Sequence, residues 1–149
     1  FNILDHRLAY PCEDAQVLDL FAGAGTLGLE ALSRGASHVT FVEADSLVLP
    51  ILKSNVAQLN GLTQVIPKTV SKFLDGPVSP VNLVFMDPPY DRGFLEPSLL
   101  SLVSRAWLLP QALVCLEYPH GVTPNLPDEL ETVVSRTYGR SVVSILEVK

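Results

Sequence analysis

The decapeptide Asp19-Leu20-Phe21-Ala22-Gly23-Ala24-Gly25-Thr26-Leu27-Gly28 holds a literal G-x-G-x-x-G between a strand-like and a helix-like segment. Upstream, Gln16 to Phe21 reads as a buried strand. Downstream, Thr26 to Arg34 reads as a helix, with Thr26 as its expected cap, Glu30 and Arg34 four apart, and Gly35 at its end. Such a turn places backbone N–H groups at a helix start. Its glycines let a ligand approach the main chain.

Working outward, strand-like and helix-like stretches alternate. Val39 to Glu43 reads as a second strand and Ser46 to Leu59 as a second helix, with Leu52, Val56 and Leu59 on one stripe and Pro50 near its start. Gln64 to Pro67 is a short strand, and Ser71 to Leu74 a helical turn. Val81 to Met86 is almost wholly apolar, as expected of a central parallel strand buried on both faces. Leu95 to Trp107 reads as helix and Ala112 to Glu117 as strand. Glu131 to Tyr138 and Arg140 to Val148 flank Gly139 and predict a closing hairpin. The fold class is therefore α/β: a Rossmann-like, mostly parallel, doubly wound sheet of about seven strands with a C-terminal antiparallel hairpin. With no repeat and no long linker, residues 1–149 are expected to form a single domain.

Glu43 ends the second strand, twenty residues after Gly23, as in a dinucleotide fingerprint. Asp19 argues against a dinucleotide. A pyrophosphate seeks bare N–H groups, and a carboxylate four residues ahead of Gly23 would repel it. S-adenosylmethionine (SAM) carries an ammonium group and no phosphate, so an acid at the strand end suits it. A carboxylate at Glu43 presents two oxygens, enough for both ribose hydroxyls.

Asp87-Pro88-Pro89-Tyr90 leaves the C-terminal end of the Val81–Met86 strand, where open α/β sheets bind ligands. An exocyclic amine has two N–H donors, and the Asp87 carboxylate and Pro88 carbonyl can accept one each. That aims the nitrogen lone pair at a methyl donor and stabilises positive charge as the new bond forms. Pro88 and Pro89 stiffen the loop. Tyr90 offers a face for a base to stack on, worth about 1–3 kcal/mol. Read by itself, the motif is also a proline-rich turn capping a strand.

Hydrophobic residues make up 48% of the 149 residues and charged ones 17%, a composition able to build a core. No apolar run approaches the roughly 18 residues of a membrane helix, and no secretory leader is read at the start. Cys12 and Cys115 are expected to be buried, reduced thiols, as in a cytoplasmic protein. His6, His38 and His120 have no ligand spacing, so no metal is expected. The net charge of −6 runs against nucleic-acid binding, which favours a basic face.

These motifs resemble those of class I amino methyltransferases. More closely, the chain resembles the bacterial family that methylates guanine N2 in small-subunit (16S) ribosomal RNA. The likeness runs through Phe1-Asn2-Ile3-Leu4, Leu29-Glu30-Ala31-Leu32-Ser33-Arg34-Gly35, Phe73-Leu74, Asp87 to Tyr90 with Gly93, Trp107-Leu108, Arg136 and Tyr138-Gly139. It covers essentially the whole chain. The resemblance implies SAM as cofactor, held by Asp19, Phe21, Ala22, Gly23, Gly25, Glu43, Ala44, Thr69 and Val70. It also implies a guanine held by Asp87, Pro88, Pro89 and Tyr90, with ribosomal RNA or an assembling small subunit as partner. Apart from the resemblance, a monomer that binds no membrane is expected. The family usually carries Asp or Asn where this chain has Thr69, near the adenine amine. It also has a basic arm ahead of Phe1 that is not in this sequence, in keeping with the acidic balance.

Other readings stay open on the motifs alone. Adenine-N6 methylation of DNA or RNA uses the same loop chemistry. Glutamine-N5 methylation fits less well, because those enzymes prefer Asn at the position of Asp87. A non-catalytic SAM- or RNA-binding module would not need both Asp87 and Tyr90.

Overall fold

The computed structural model describes residues 12–59, 61–90 and 93–149. The part of the resemblance at Phe1 to Leu4 lies outside these residues. The chain runs β1 (Gln16–Leu20), α1 (Thr26–Ser33), β2 (His38–Val42), α2 (Leu49–Val56), β3 (Thr63–Ile66), α3 (Val70–Leu74), β4 (Val81–Met86), α4 (Leu95–Ser104), β5 (Leu108–Pro119), β6 (Leu130–Tyr138) and β7 (Ser141–Val148). The seven strands form one sheet in the order β3-β2-β1-β4-β5-β7-β6. Neighbours from β3 to β5 are parallel, and β7 is antiparallel to both β5 and β6. This is the Rossmann-like architecture of class I SAM methyltransferases, with its closing antiparallel hairpin.

The central strands are apolar on both sides because both faces are covered. Val17, Val39, Phe41, Leu83 and Phe85 point to one layer, with Ala31 of α1 and Leu52 and Val56 of α2 packed on them. Leu18, Leu20, Val42, Val84 and Met86 face the other layer, under Val70 and Leu74 of α3 and Leu99 and Leu102 of α4. Cys12 and Cys115 pack in the first layer, and burial pushes the Cys115 thiol up to about 12. Trp107 lies in the second, where its indole N–H donates to the Leu74 carbonyl at 3.0 Å and its ring packs on Phe73. The pairs Phe73-Leu74 and Trp107-Leu108 are thus joined as core structure.

Several boundaries differ from the sequence expectation. Gly25, in the left-handed region at φ 88°, is the N-cap of α1, and no side chain of its own turn caps that helix. Thr26 is the first helical residue and does not cap it. The buried Asp19 instead reaches over from β1 and accepts the Gly28 N–H at 3.0 Å. The α2 helix is shorter than expected, because residues 46–48 form a turn held by Asp45, whose carboxylate accepts the Leu47 N–H. The β5 strand is longer, starting at Leu108. Pro110 and Gln111 hide that start in the sequence: the register with β4 shifts between Val81 and Leu83, and Gln111 sits at φ 64°. Arg105 closes α4, so Trp107 lies outside the helix. The hairpin turns at Gly139-Arg140, with Tyr138 paired to Ser141.

Candidate active site

The pairing register sets one row of residues along the C-terminal edge of the sheet. Leu20 pairs with Val42 on one side and Met86 on the other, and Met86 pairs with Leu116. The next residue of each strand is therefore Glu43, Phe21, Asp87 and Glu117, in spatial order. The chain order reverses between β1 and β4, and a crevice opens at this kind of switch point. A cavity of about 1050 Å³ lies there.

Phe21, Glu43, Ala44, Thr69, Val70, Asp87, Pro88, Pro89 and Tyr90 all line this cavity. Loops after β1, β2, β3 and β4 supply them. Asp19, Ala22, Gly23 and Gly25 do not line it: Asp19 and Gly25 are buried behind it, and Ala22 and Gly23 are half-buried in the turn.

The glycines divide by role. A Cβ on Gly25 would lie 2.7 Å from Leu52 Cδ1 and 3.2 Å from the Phe41 ring. A Cβ on Gly28 would overlap that ring and lie 2.8 Å from Val39. Both positions need glycine so that α1 can seat on the sheet and on α2. Gly23 meets nothing within 4 Å and is left-handed at φ 58°. It serves the turn and leaves the backbone open to approach.

Glu43 ties the site together. One carboxylate oxygen accepts the Gly23 N–H at 2.7 Å, and the other accepts the Ala44 and Asp45 N–H groups, each at 2.9 Å. Three of roughly four lone-pair sites are thus in use. Asn55 of α2 adds a second tie, donating from its side-chain amide to the Ala24 carbonyl at 2.8 Å. Thr69 is the N-cap of α3, its hydroxyl oxygen accepting the Lys72 N–H at 3.2 Å. One lone pair and the hydroxyl proton stay available.

Two acids here, Asp19 and Asp87, are difficult to ionise. Burial, and then the Asp87 and Glu43 charges, push Asp19 up to about 7 against the opposing Gly28 hydrogen bond. Burial, and then the Glu117 charge, push Asp87 up to about 6. Glu43, Asp45 and Asp87 face the cavity, against the single lysine Lys68. That lining suits a cation and opposes a phosphate.

Two features escaped the sequence reading. Phe94, half-exposed ahead of α4, stacks on Phe21 with ring centroids 5.8 Å apart and planes at 21°, joining the loops after β1 and β4. An aromatic shortly after Asp87-Pro88-Pro89-Tyr90 was the available signal. Tyr90, 42% exposed, has its hydroxyl 3.0 Å from that of Ser141, so the hairpin holds its ring edge while its face stays open. Among the described residues, no group of three or more His, Cys, Asp or Glu gathers to hold a metal. No helix there is long and apolar enough to cross a membrane.

A family model described as "Conserved hypothetical protein 95" matches residues 1–147. The Ribosomal RNA small subunit methyltransferase D of Haemophilus influenzae is 39% identical over 130 residues, covering 84% of this chain and 67% of that protein. The chain belongs to this methyltransferase D family. The Escherichia coli K12 protein of the same name is 45% identical over 105 residues, which span 70% of this chain and 53% of that one. The matched stretch thus spans about half the length of the Escherichia coli relative and about two thirds of the Haemophilus influenzae one. The solved Escherichia coli protein yhhF superposes with a TM-score of 0.89 and 36% identity, over 100% of this chain and 83% of that one.

Proposed function

We propose that this protein transfers the methyl group of SAM to the exocyclic N2 amine of a guanine in small-subunit ribosomal RNA. One observation carries the reading: the Asp87-Pro88-Pro89-Tyr90 loop and the Glu43–Thr69 wall line a single cavity, so donor and acceptor sites adjoin. Membership of the methyltransferase D family supports the same reaction and the same class of RNA partner.

The residues present fit SAM on the chemistry of their donor set. The cavity is lined by more carboxylates than cations, its volume suits a nucleoside-sized ligand, and its floor is apolar at Phe21, Val42, Val70 and Leu74. Glu43 would hold the ribose with its remaining lone pair and by giving up or sharing the Gly23 contact. Thr69 and Val70 would border the adenine. Asp19 would act on the ammonium group through its charge, from beneath the glycine turn. When bound, SAM supplies an electrophilic methyl carbon on a sulfonium.

The chain's own contribution is positioning. The Asp87 carboxylate and the Pro88 carbonyl accept the two amine hydrogens and hold the lone pair toward the donor. Tyr90 stacks on the base, with its ring edge fixed by Ser141. Methylation leaves an acidic ammonium on the product, and its proton can pass to Asp87 or to water. No tuned general base is needed ahead of transfer.

The test is to incubate the protein with tritiated SAM and small ribosomal subunits from a strain lacking its own relative. The RNA is then digested to nucleosides. Label in N2-methylguanosine is expected. Label in N6-methyladenosine would replace this reading with the adenine one.

A further inference from the structure

A second cavity, of about 560 Å³, lies on the far side of the catalytic loop from the Glu43 wall. Pro88, Pro89, Tyr90, Phe94 and Pro97 border both cavities, so the two share a wall made of that loop and the start of α4. The remaining walls are Tyr118, Pro119, Val122 and Pro124, with two carboxylates, Glu96 and Glu117. Flat aromatic and proline faces around a few acceptors suit a base entering edge-on.

The two carboxylates are not equivalent. Glu96 accepts the Asn125 N–H at 2.9 Å and is engaged in holding the 120–125 segment. Glu117 is half-buried, and among the described residues its carboxylate accepts no hydrogen bond. Its backbone position is fixed by pairing with Val143 of β7. Because Met86 pairs with Leu116, Glu117 of β5 lies directly beside Asp87, where β4 ends. Its neighbour Tyr118 is pinned through its hydroxyl to Ser144 at 3.0 Å.

We infer that the acceptor base enters from this second cavity with its amine edge reaching Asp87 in the first, and that Glu117 reads guanine by accepting its N1–H while Asp87 and Pro88 hold the adjacent N2 amine. The inference rests on the guanine-N2 reading above. In guanine the ring atom next to the reacting amine on the Watson–Crick edge is a donor. In adenine the corresponding ring atom is a bare acceptor. A carboxylate only accepts, so it rewards the first and repels the second. Glu117 is thereby a specificity-determining residue one strand removed from the amine site. The charge that Glu117 places on Asp87 fits two carboxylates sharing one base edge.

2-Aminopurine probes this contact. It keeps the 2-amino group but has no hydrogen on N1 and no 6-oxo group, so the change in its ranking on Glu117→Gln isolates the N1 part. The protein, saturated with S-adenosylhomocysteine, is titrated with guanosine monophosphate, 2-aminopurine riboside monophosphate and adenosine monophosphate. Fluorescence reports the aminopurine and competition reports the others. The wild type is expected to prefer the guanine nucleotide to the aminopurine by roughly 10- to 100-fold, the worth of one charge-assisted hydrogen bond. Glu117→Gln can turn its amide to donate to the bare N1, and its preference is expected to shrink by tenfold or more. Melting temperature and S-adenosylhomocysteine affinity, measured alongside, confirm that Glu117→Gln is folded. An unchanged guanine-to-aminopurine ratio in Glu117→Gln would overturn the role of Glu117 and leave the guanine reading standing. A wild type that prefers the adenine nucleotide would overturn both.

Discussion

The carboxylate of Glu43 and the backbone N–H of Gly23 meet at 2.7 Å, joining the ends of β2 and β1 above the switch point. The bond makes Glu43 both a structural tie and the expected ribose acceptor. Glu43→Ala removes three hydrogen bonds to backbone donors. Stability should drop by about 1–3 kcal/mol, the scale of a charged hydrogen bond left unmade. SAM affinity should fall at least tenfold. Thermal melting and calorimetry with SAM check the two effects, and an unaltered affinity would remove Glu43 from the cofactor site.

Asp19 predicts an unusual pH dependence. Its folded value is raised to about 7 from 3.8, so its stabilising contribution is full below about 4 and is lost as pH rises through 7. Stability of the protein alone should therefore decline between about pH 4 and 7. Asp19→Asn, which can still accept from Gly28, should flatten that slope in urea melts. Affinity for SAM should move the other way, rising over the same range as Asp19 ionises to face a cation. A pH-independent affinity would separate Asp19 from the ligand.

Asp87 predicts the acid limb of the reaction. Its value near 6 means that below about pH 6 it is protonated and loses acceptor capacity, so methyl transfer should fall. Glu117 contributes to that elevation, so Glu117→Gln should move the limb to lower pH. Initial rates across pH 5 to 8 test the direction of the shift. Movement upward would contradict the arrangement.

The bond between Tyr90 and Ser141 can be tested apart from stacking. Tyr90→Ala should cost roughly 5- to 150-fold in kcat/KM for RNA, as expected for one lost base–aromatic stack. Ser141→Ala keeps the ring and frees its edge, and should cost no more than about tenfold, with SAM binding untouched. Equal losses in both variants would show that ring position matters more than ring surface.

Most of the fold was legible because the apolar runs are long and periodic. Val81 to Met86 announces a strand covered on both faces, and it is one. The turn chemistry was harder to read. Thr26 looks like a cap in sequence, but the cap function sits at Asp19, seven residues away and on another element. Gly25 and Gly28 look like ligand glycines, yet their missing side chains make room for Leu52, Phe41 and Val39. Pattern reading cannot separate a glycine kept for a ligand from one kept for packing, since both demand a missing Cβ. Glu117 was invisible for a related reason: it reads as a polar strand end until the β4–β5 register sets it beside Asp87.

The claim on which the account depends is that the donor in the first cavity and the amine of the acceptor meet at Asp87, with Asp87 acting on the acceptor. Asp87→Ala measured in both assays tests it most directly. SAM affinity by calorimetry should stay within about tenfold of wild type, while methyl transfer to small ribosomal subunits should be abolished. Transfer retained in Asp87→Ala would contradict the account.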